Sequence, residues 1–169
     1  MNLASVNYYF GGKEGLYAAT LKELAGRRLK AGASSTVRGE GAEDRLYAAV
    51  HAILATFVDG RGDAQLGRLL AHESMDPTPY FEALVGDVLS PEVERLRTVI
   101  SQLSGGALAA DVLERAASSV LGQCLFYLFA RGAVARLFPA MTEGPERIDA
   151  LARHITRFSI GGVAACRAG

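Results

Sequence analysis

Apolar residues recur along most of this chain at steps of three and four, the period of an α-helix that buries one face. Over residues 13–30 the stripe is Leu16, Tyr17, Leu21, Leu24, Ala25 and Leu29, with Lys22, Glu23, Arg27 and Arg28 on the other side. Residues 32–41, rich in Gly, Ser, Thr and charge, break the pattern and read as a flexible connection. A second helix is predicted over residues 42–58. Leu46, Val50, Ile53, Leu54 and Phe57 face inward, and Glu43 and Asp44 stand in the first turn, where the helix dipole favours negative charge. Gly60-Arg61-Gly62-Asp63 ends it. A shorter helix over 64–73 turns Leu66, Leu69 and Leu70 inward and stops before Asp76-Pro77 and Pro79, because proline pushes the preceding residue out of the αR region.

The next periodic run, residues 79–103, carries Phe81, Leu84, Val85, Val88, Leu89, Val93, Leu96, Val99 and Ile100, with Pro91 inside it. Proline there must kink the helix or open a second segment, and a kinked continuous helix is expected. Ser104-Gly105-Gly106 ends the run. Residues 109–131 and 145–167 are the last two long helices. The first is apolar over much of its circumference, so it must be covered on more than one side. In the second, Gly161-Gly162 and Ala164-Ala165 permit close approach of a neighbour. Residues 132–144 between them read as a connection, with Leu137-Phe138-Pro139 as a short turn. The pattern predicts an all-α fold. It also predicts a homodimer through the last two long helices, each chain giving two helices to a four-helix interface.

Composition changes the picture in three places. At 169 residues and 50% apolar, the chain has enough hydrophobic material for one substantial core. Net charge is zero, so no global basic field points to nucleic acid. The charge is uneven, however. Residues 1–31 hold Lys13, Lys22, Arg27, Arg28 and Lys30 against Glu14 and Glu23, a net of +3, which leaves the rest at −3. Cys124 and Cys166 sit far apart in helical runs without metal or redox spacing and read as small hydrophobes. Without a run of about twenty apolar residues or a signal-peptide core, the chain reads as soluble and cytoplasmic, with no membrane partner.

Candidate chemistry is sparse. His51, His72 and His154 fall on different predicted helices, and His72-Glu73, the one neighbouring carboxylate, does not share a helical face. Ser34-Ser35 and Ser118-Ser119 lack the glycines of a nucleophile elbow, and Gly11-Gly12 and Gly105-Gly106 lack the strand a phosphate loop needs. No metal, cofactor or catalysis is expected. A small-molecule pocket between helices is the better reading. Its candidates are Phe57, His72, Met75, Phe81, Leu84, Gln123, Phe126 and Tyr127, which are aromatic, flexible or polar on otherwise apolar helices.

The N-terminal stretch carries a more specific signal. A helical turn of small and polar residues leads into Asn7-Tyr8-Tyr9-Phe10, then Gly11-Gly12, then Lys13-Glu14-Gly15-Leu16 opening the next helix. Paired glycines allow a tight reversal, as at the end of a helix-turn-helix. This stretch resembles the end of the DNA-binding region in TetR-family transcriptional regulators, where the recognition helix runs into Tyr-x-Phe-x-x-Lys-Glu-x-Leu. The passage Leu70-Ala71-His72-Glu73-Ser74-Met75-Asp76-Pro77-Thr78 is similar to the ligand domain of the same branch.

The resemblance implies a dimeric, ligand-responsive repressor that binds operator DNA and releases it when an unknown small-molecule effector enters the body. By position, Tyr9 and Lys13 are expected to touch phosphates, and Ser5, Asn7 and Tyr8 to face a groove. It also implies two further helices ahead of the recognition helix, whereas the chain begins at Met1. Residues 1–31 are therefore expected to be a partial DNA-binding region and 42–169 the ligand-binding and dimerisation domain. The alternative is a helical dimerisation or interaction module, or an orphan ligand-binding protein, that does not bind DNA.

Overall fold

The computed structural model describes residues 41–58 and 64–168, together with Gly12, residues 15–17, 19–20 and Glu23. Seven α-helices account for most of residues 42–168: α1 (Ala42–Phe57), α2 (Ala64–Met75), α3 (Phe81–Leu84), α4 (Ser90–Leu103), α5 (Ala110–Phe129), α6 (Arg131–Leu137) and α7 (Arg147–Ala168). A π-helical segment, Val85–Leu89, joins α3 to α4, and a 3₁₀ turn, Pro139–Met141, follows α6. No strand occurs among the described residues. Residues 15–17, 19–20 and 23 are helical, within the predicted helix over 13–30.

α1 is the centre of the bundle, packing against α2, α4, α5 and α7. It can do so because its inward stripe is broad: Leu46, Val50, Ile53 and Leu54 are wholly buried. Leu66 and Leu70 from α2, Leu96 and Ile100 from α4, Val120 and Cys124 from α5, and Ile155 from α7 complete the same core. Each large aliphatic side chain so buried contributes about 2 kcal/mol. Ile53→Ala, at the middle of the core, would cost about 3 kcal/mol. α2 reaches α1 closely through Gly67. A Cβ there would stand 2.6 Å from the Phe57 carbonyl oxygen and 3.1 Å from Leu128 Cδ1.

The run expected over 79–103 begins two residues later, after a turn at Pro79-Tyr80, and is helical without a break from Phe81 to Leu103, with Pro91 accommodated by a widened turn. Proline has no N–H to donate and its ring crowds the carbonyl one turn back. Just before it, the Ser90 N–H bonds to the Val85 carbonyl five residues earlier, and the Ser90 hydroxyl donates to that same oxygen at 3.0 Å. The inward residues explain the need. Leu84, Val88, Glu92 and Leu96 are buried at four-residue steps, and an α-helix would rotate such a stripe by about 40° per step. A π turn holds more residues and removes the drift.

The connection expected over 132–144 is instead largely helical, with α6 and the 3₁₀ turn inside it. Ala130 leaves α5 in a non-helical conformation (φ −94°, ψ 12°), the chain bends by 78°, and buried Val134 anchors the new helix in the body. At the end of α4 the chain reverses through Gly105 and Gly106, both at positive φ. There the Gly106 N–H reaches back to the Ser101 carbonyl at 2.8 Å. Among the described residues no single helix is long and apolar enough to cross a membrane.

Candidate functional site

The inward stripe of α2 runs Leu66, Leu70, Glu73, so its last turn carries a carboxylate into the interior. Glu73 is fully buried. An unpaired carboxylate in such a place costs several kcal/mol, and the chain supplies donors from two directions. After α2, the Asp76 N–H bonds to the His72 carbonyl, and the turn through Pro77 brings Thr78 back over the helix end. The Thr78 N–H donates to Glu73 Oε2 at 2.9 Å. Its hydroxyl lies within 3.0 Å of both carboxylate oxygens. From the N-terminal side, the Tyr17 hydroxyl donates to Glu73 Oε1. His72 Nδ1 lies 4.0 Å from the same oxygen.

Burial alone would raise the Glu73 carboxyl, but the hydrogen bonds from Tyr17 and Thr78 outweigh it and hold the group below the ordinary carboxylate range. Burial and the neighbouring carboxylate push the Tyr17 phenol up. At neutral pH the pair is therefore phenol and carboxylate, a charge-assisted hydrogen bond.

Beside this junction lies a cavity of about 710 Å³. Leu16, Tyr17 and Thr20 line it from the N-terminal helix; His72, Thr78, Pro79 and Tyr80 line it from the body. The Tyr17 and Tyr80 rings meet at 5.6 Å between centroids, tilted by 55°. The volume falls within the range of small-molecule pockets, and the lining is mostly apolar with a few convergent polar groups. Among the described residues, no group of three His, Cys, Asp or Glu side chains is placed to hold a metal ion.

A second tyrosine junction ties α1 to α7. The Tyr47 hydroxyl donates to Asp149, Arg153 Nε bonds to Asp149 Oδ2 at 2.7 Å, and the Arg153 guanidinium sits 5.5 Å from the Tyr47 ring centre. Elsewhere on the body, α5 and α7 pack together and share a groove lined by Gln123, Phe126, Tyr127 and His154. Gln123 Nε2 donates to Ser159 Oγ at 3.4 Å. Phe126 and Phe129 of α5 and Phe158 of α7 are exposed.

The eight residues proposed for a ligand site do not come together. His72 lines the large cavity. Gln123, Phe126 and Tyr127 line the α5–α7 groove. Phe57 and Leu84 are core residues, Phe81 is half-buried, and Met75 is 85% exposed. Ser5, Asn7, Tyr8, Tyr9 and Lys13 lie outside the described residues. The residues that do converge, Tyr17, Glu73, Thr78 and Tyr80, escaped sequence reasoning. One signal was there: Glu73 falls in register with Leu66 and Leu70, where a solvated glutamate does not belong.

Comparison with curated proteins gives no match. Residues 42–163 match the domain family described as HTH-type transcriptional dual regulator CecR, C-terminal domain. That span includes all of α1 to α6 and most of α7, so the match falls on the bundle and not on the N-terminal stretch from which the TetR resemblance was first read. The helical body and the family match agree, and on them the chain belongs to the family of the CecR C-terminal domain, the regulatory domain of a TetR-type transcriptional regulator.

Proposed function

We propose that this chain is a ligand-responsive, cytoplasmic transcriptional repressor of TetR type, whose body takes up a small molecule and thereby releases operator DNA. The observation that carries this reading is the 710 Å³ cavity walled on one side by the helix that follows the DNA-binding stretch. A ligand there touches the body and that helix at once, and Tyr17 to Glu73 is the hydrogen bond it must either preserve or break. A ligand shifts an equilibrium only by its differential affinity for the two states. Here that difference lies in whether the Tyr17 ring stays against Tyr80.

The partners are a second copy of the chain, operator DNA and the effector. The dimer forms through α5 and α7, whose outward Phe126, Phe129 and Phe158 need covering. It places two DNA-reading ends at a fixed spacing. On the DNA side, Tyr9 and Lys13 contact phosphates while Ser5, Asn7 and Tyr8 face the groove.

Three measurements test this. Thr20→Trp fills the cavity and should abolish binding of the neutral dye Nile red while leaving the oligomeric state unchanged; undiminished dye binding removes the cavity from the mechanism. Phe158→Glu should shift sedimentation from dimer to monomer, and a wild-type chain that is monomeric at all concentrations rules out the dimer. With a complete helix-turn-helix present, Lys13→Ala should reduce the salt slope of DNA binding by about one.

A further inference from the structure

Two grooves on the α5–α7 face, of about 330 and 360 Å³, have one lining residue in common, Gln123, which divides the face along its length. Phe126 edges the first groove and Phe158 the second, and both rings are exposed. In the second groove, other polar groups of α5 are occupied within their own helix. The Ser119 hydroxyl donates to the Arg115 carbonyl and the Arg115 guanidinium to Asp111, each at 2.8 Å. Gln123 is less well served. Its Nε2 donates to the Ser119 carbonyl at 3.3 Å and to Ser159 Oγ at 3.4 Å, both long for such bonds. Its Oε1 accepts no hydrogen bond among the described residues. Turning the amide over gives no relief, because it would set Oε1 against the Ser119 carbonyl, a second acceptor. A half-buried carboxamide is thus left with an acceptor and part of its donor capacity unused.

In a single chain, water serves the amide. A partner that covers Phe126 and Phe158 covers Gln123 with them, and the chemistry of the amide then selects the partner. An aliphatic side chain would strand it, a carboxylate offers only acceptors, and an ammonium only donors. Another carboxamide offers both. In a two-fold interface the same patch meets itself, so a residue at the axis faces its own copy, and a group carrying donor and acceptor together is its own complement there. We propose that Gln123 pairs amide to amide with the partner's Gln123 across the two-fold axis of the dimer, with the aromatic edge of each copy set into the grooves of the other. This inference rests on the dimer through α5 and α7 and adds the contact that fixes its register and favours a second copy of this chain over related helical faces. One polar pair in an apolar helix interface acts in this way, giving up some affinity for selectivity.

The test is charge complementation in the full chain, followed by sedimentation at neutral pH. Gln123→Glu and Gln123→Lys each set like charges face to face at the axis, so each alone should be monomeric where wild type is dimeric. Mixed in equal amounts they should recover a dimer holding one of each, at least about tenfold tighter than either variant with itself. Recovery also shows that both variants fold. Gln123→Leu gives an uncharged arm: it should pair with itself at least as tightly as wild type does, and with wild type about tenfold more weakly, because one amide is then stranded. Charged variants that remain dimeric, charged variants that stay monomeric when mixed, or a Gln123→Leu chain that pairs with wild type as readily as with itself would each overturn the pairing. Phe158→Glu separates the two readings. If it dissociates the dimer while the mixed pair fails to recover one, the interface stands and the amide pair falls; a wild-type chain that never dimerises removes both.

Discussion

Tyr17 and Tyr47 each donate a hydroxyl to a carboxylate, 56 and 102 residues away in the chain, yet the two acceptors live in different surroundings. Asp149 shares the surface with Arg153, whose guanidinium is its main support. Glu73 is shut away from water and depends on Tyr17 and Thr78 for its support. A surface carboxylate that loses a partner is rescued by solvent. A buried one is not, and the donors left behind are stranded with it. The α1–α7 junction is therefore a brace, and the Glu73 junction is a lock whose state matters to whatever lies on its two sides.

Removing the acceptor is the harshest test of that contrast. Glu73→Ala strands the Thr78 N–H and the Tyr17 hydroxyl and should lower unfolding stability by about 3 kcal/mol in urea denaturation; a loss below about 1 kcal/mol would mean that water already reaches the site. Gly67→Ala sharpens the comparison by moving α2 without touching Glu73. Its Cβ meets backbone at 2.6 Å, so a loss of about 2 kcal/mol is expected, and hydrogen exchange at Thr78 should rise with it. Tyr17→Phe should then cost about 1 kcal/mol and Tyr47→Phe less, measured side by side; the reverse order would undo the distinction between lock and brace.

The smallest effect is in pH. Glu73 is held below its ordinary value of 4.5, so its contribution is complete above pH 4.5 and is lost as pH falls through the lower, folded-state value. Melting temperatures of wild type and Glu73→Gln should converge over that acid range and separate above it. Tyr17 is shifted the other way, from 10.0 upward, so its contribution is complete below pH 10.0 and fades as the solution becomes more alkaline.

Much of the fold was legible because helical period is a local property. Residues 42–58, 64–73 and 145–167 were bounded to within two residues by first-turn acids, glycines and prolines. Where tertiary packing decided the outcome, the sequence was silent. The π turn before Pro91 answers a drift visible only once Leu84, Val88, Glu92 and Leu96 share one partner surface. α6 was hidden because Gly132 and Pro139 look like loop punctuation, while the burial of Val134 that stabilises it is a long-range event. The cavity was the least legible feature. Aromatic character does not distinguish a core residue such as Phe57 from a lining residue such as Tyr80. Tyr17 fits the inward stripe of its helix equally well whether its hydroxyl finds a partner or not.

The π turn also sets a rule about chain length. A wide turn carries one residue more than the α-turn it replaces, so deleting a single residue such as Gly86, where the surface is open, lets the helix relax to regular pitch. Everything upstream of the deletion then rotates by about 100° relative to the core, and Thr78 leaves Glu73. Substitutions along Val85–Leu89 can be absorbed one side chain at a time, but a one-codon deletion there resets the register between the Thr78 turn and the rest of the body. Lineages of this domain should therefore drift in composition through this segment while keeping its count of residues fixed.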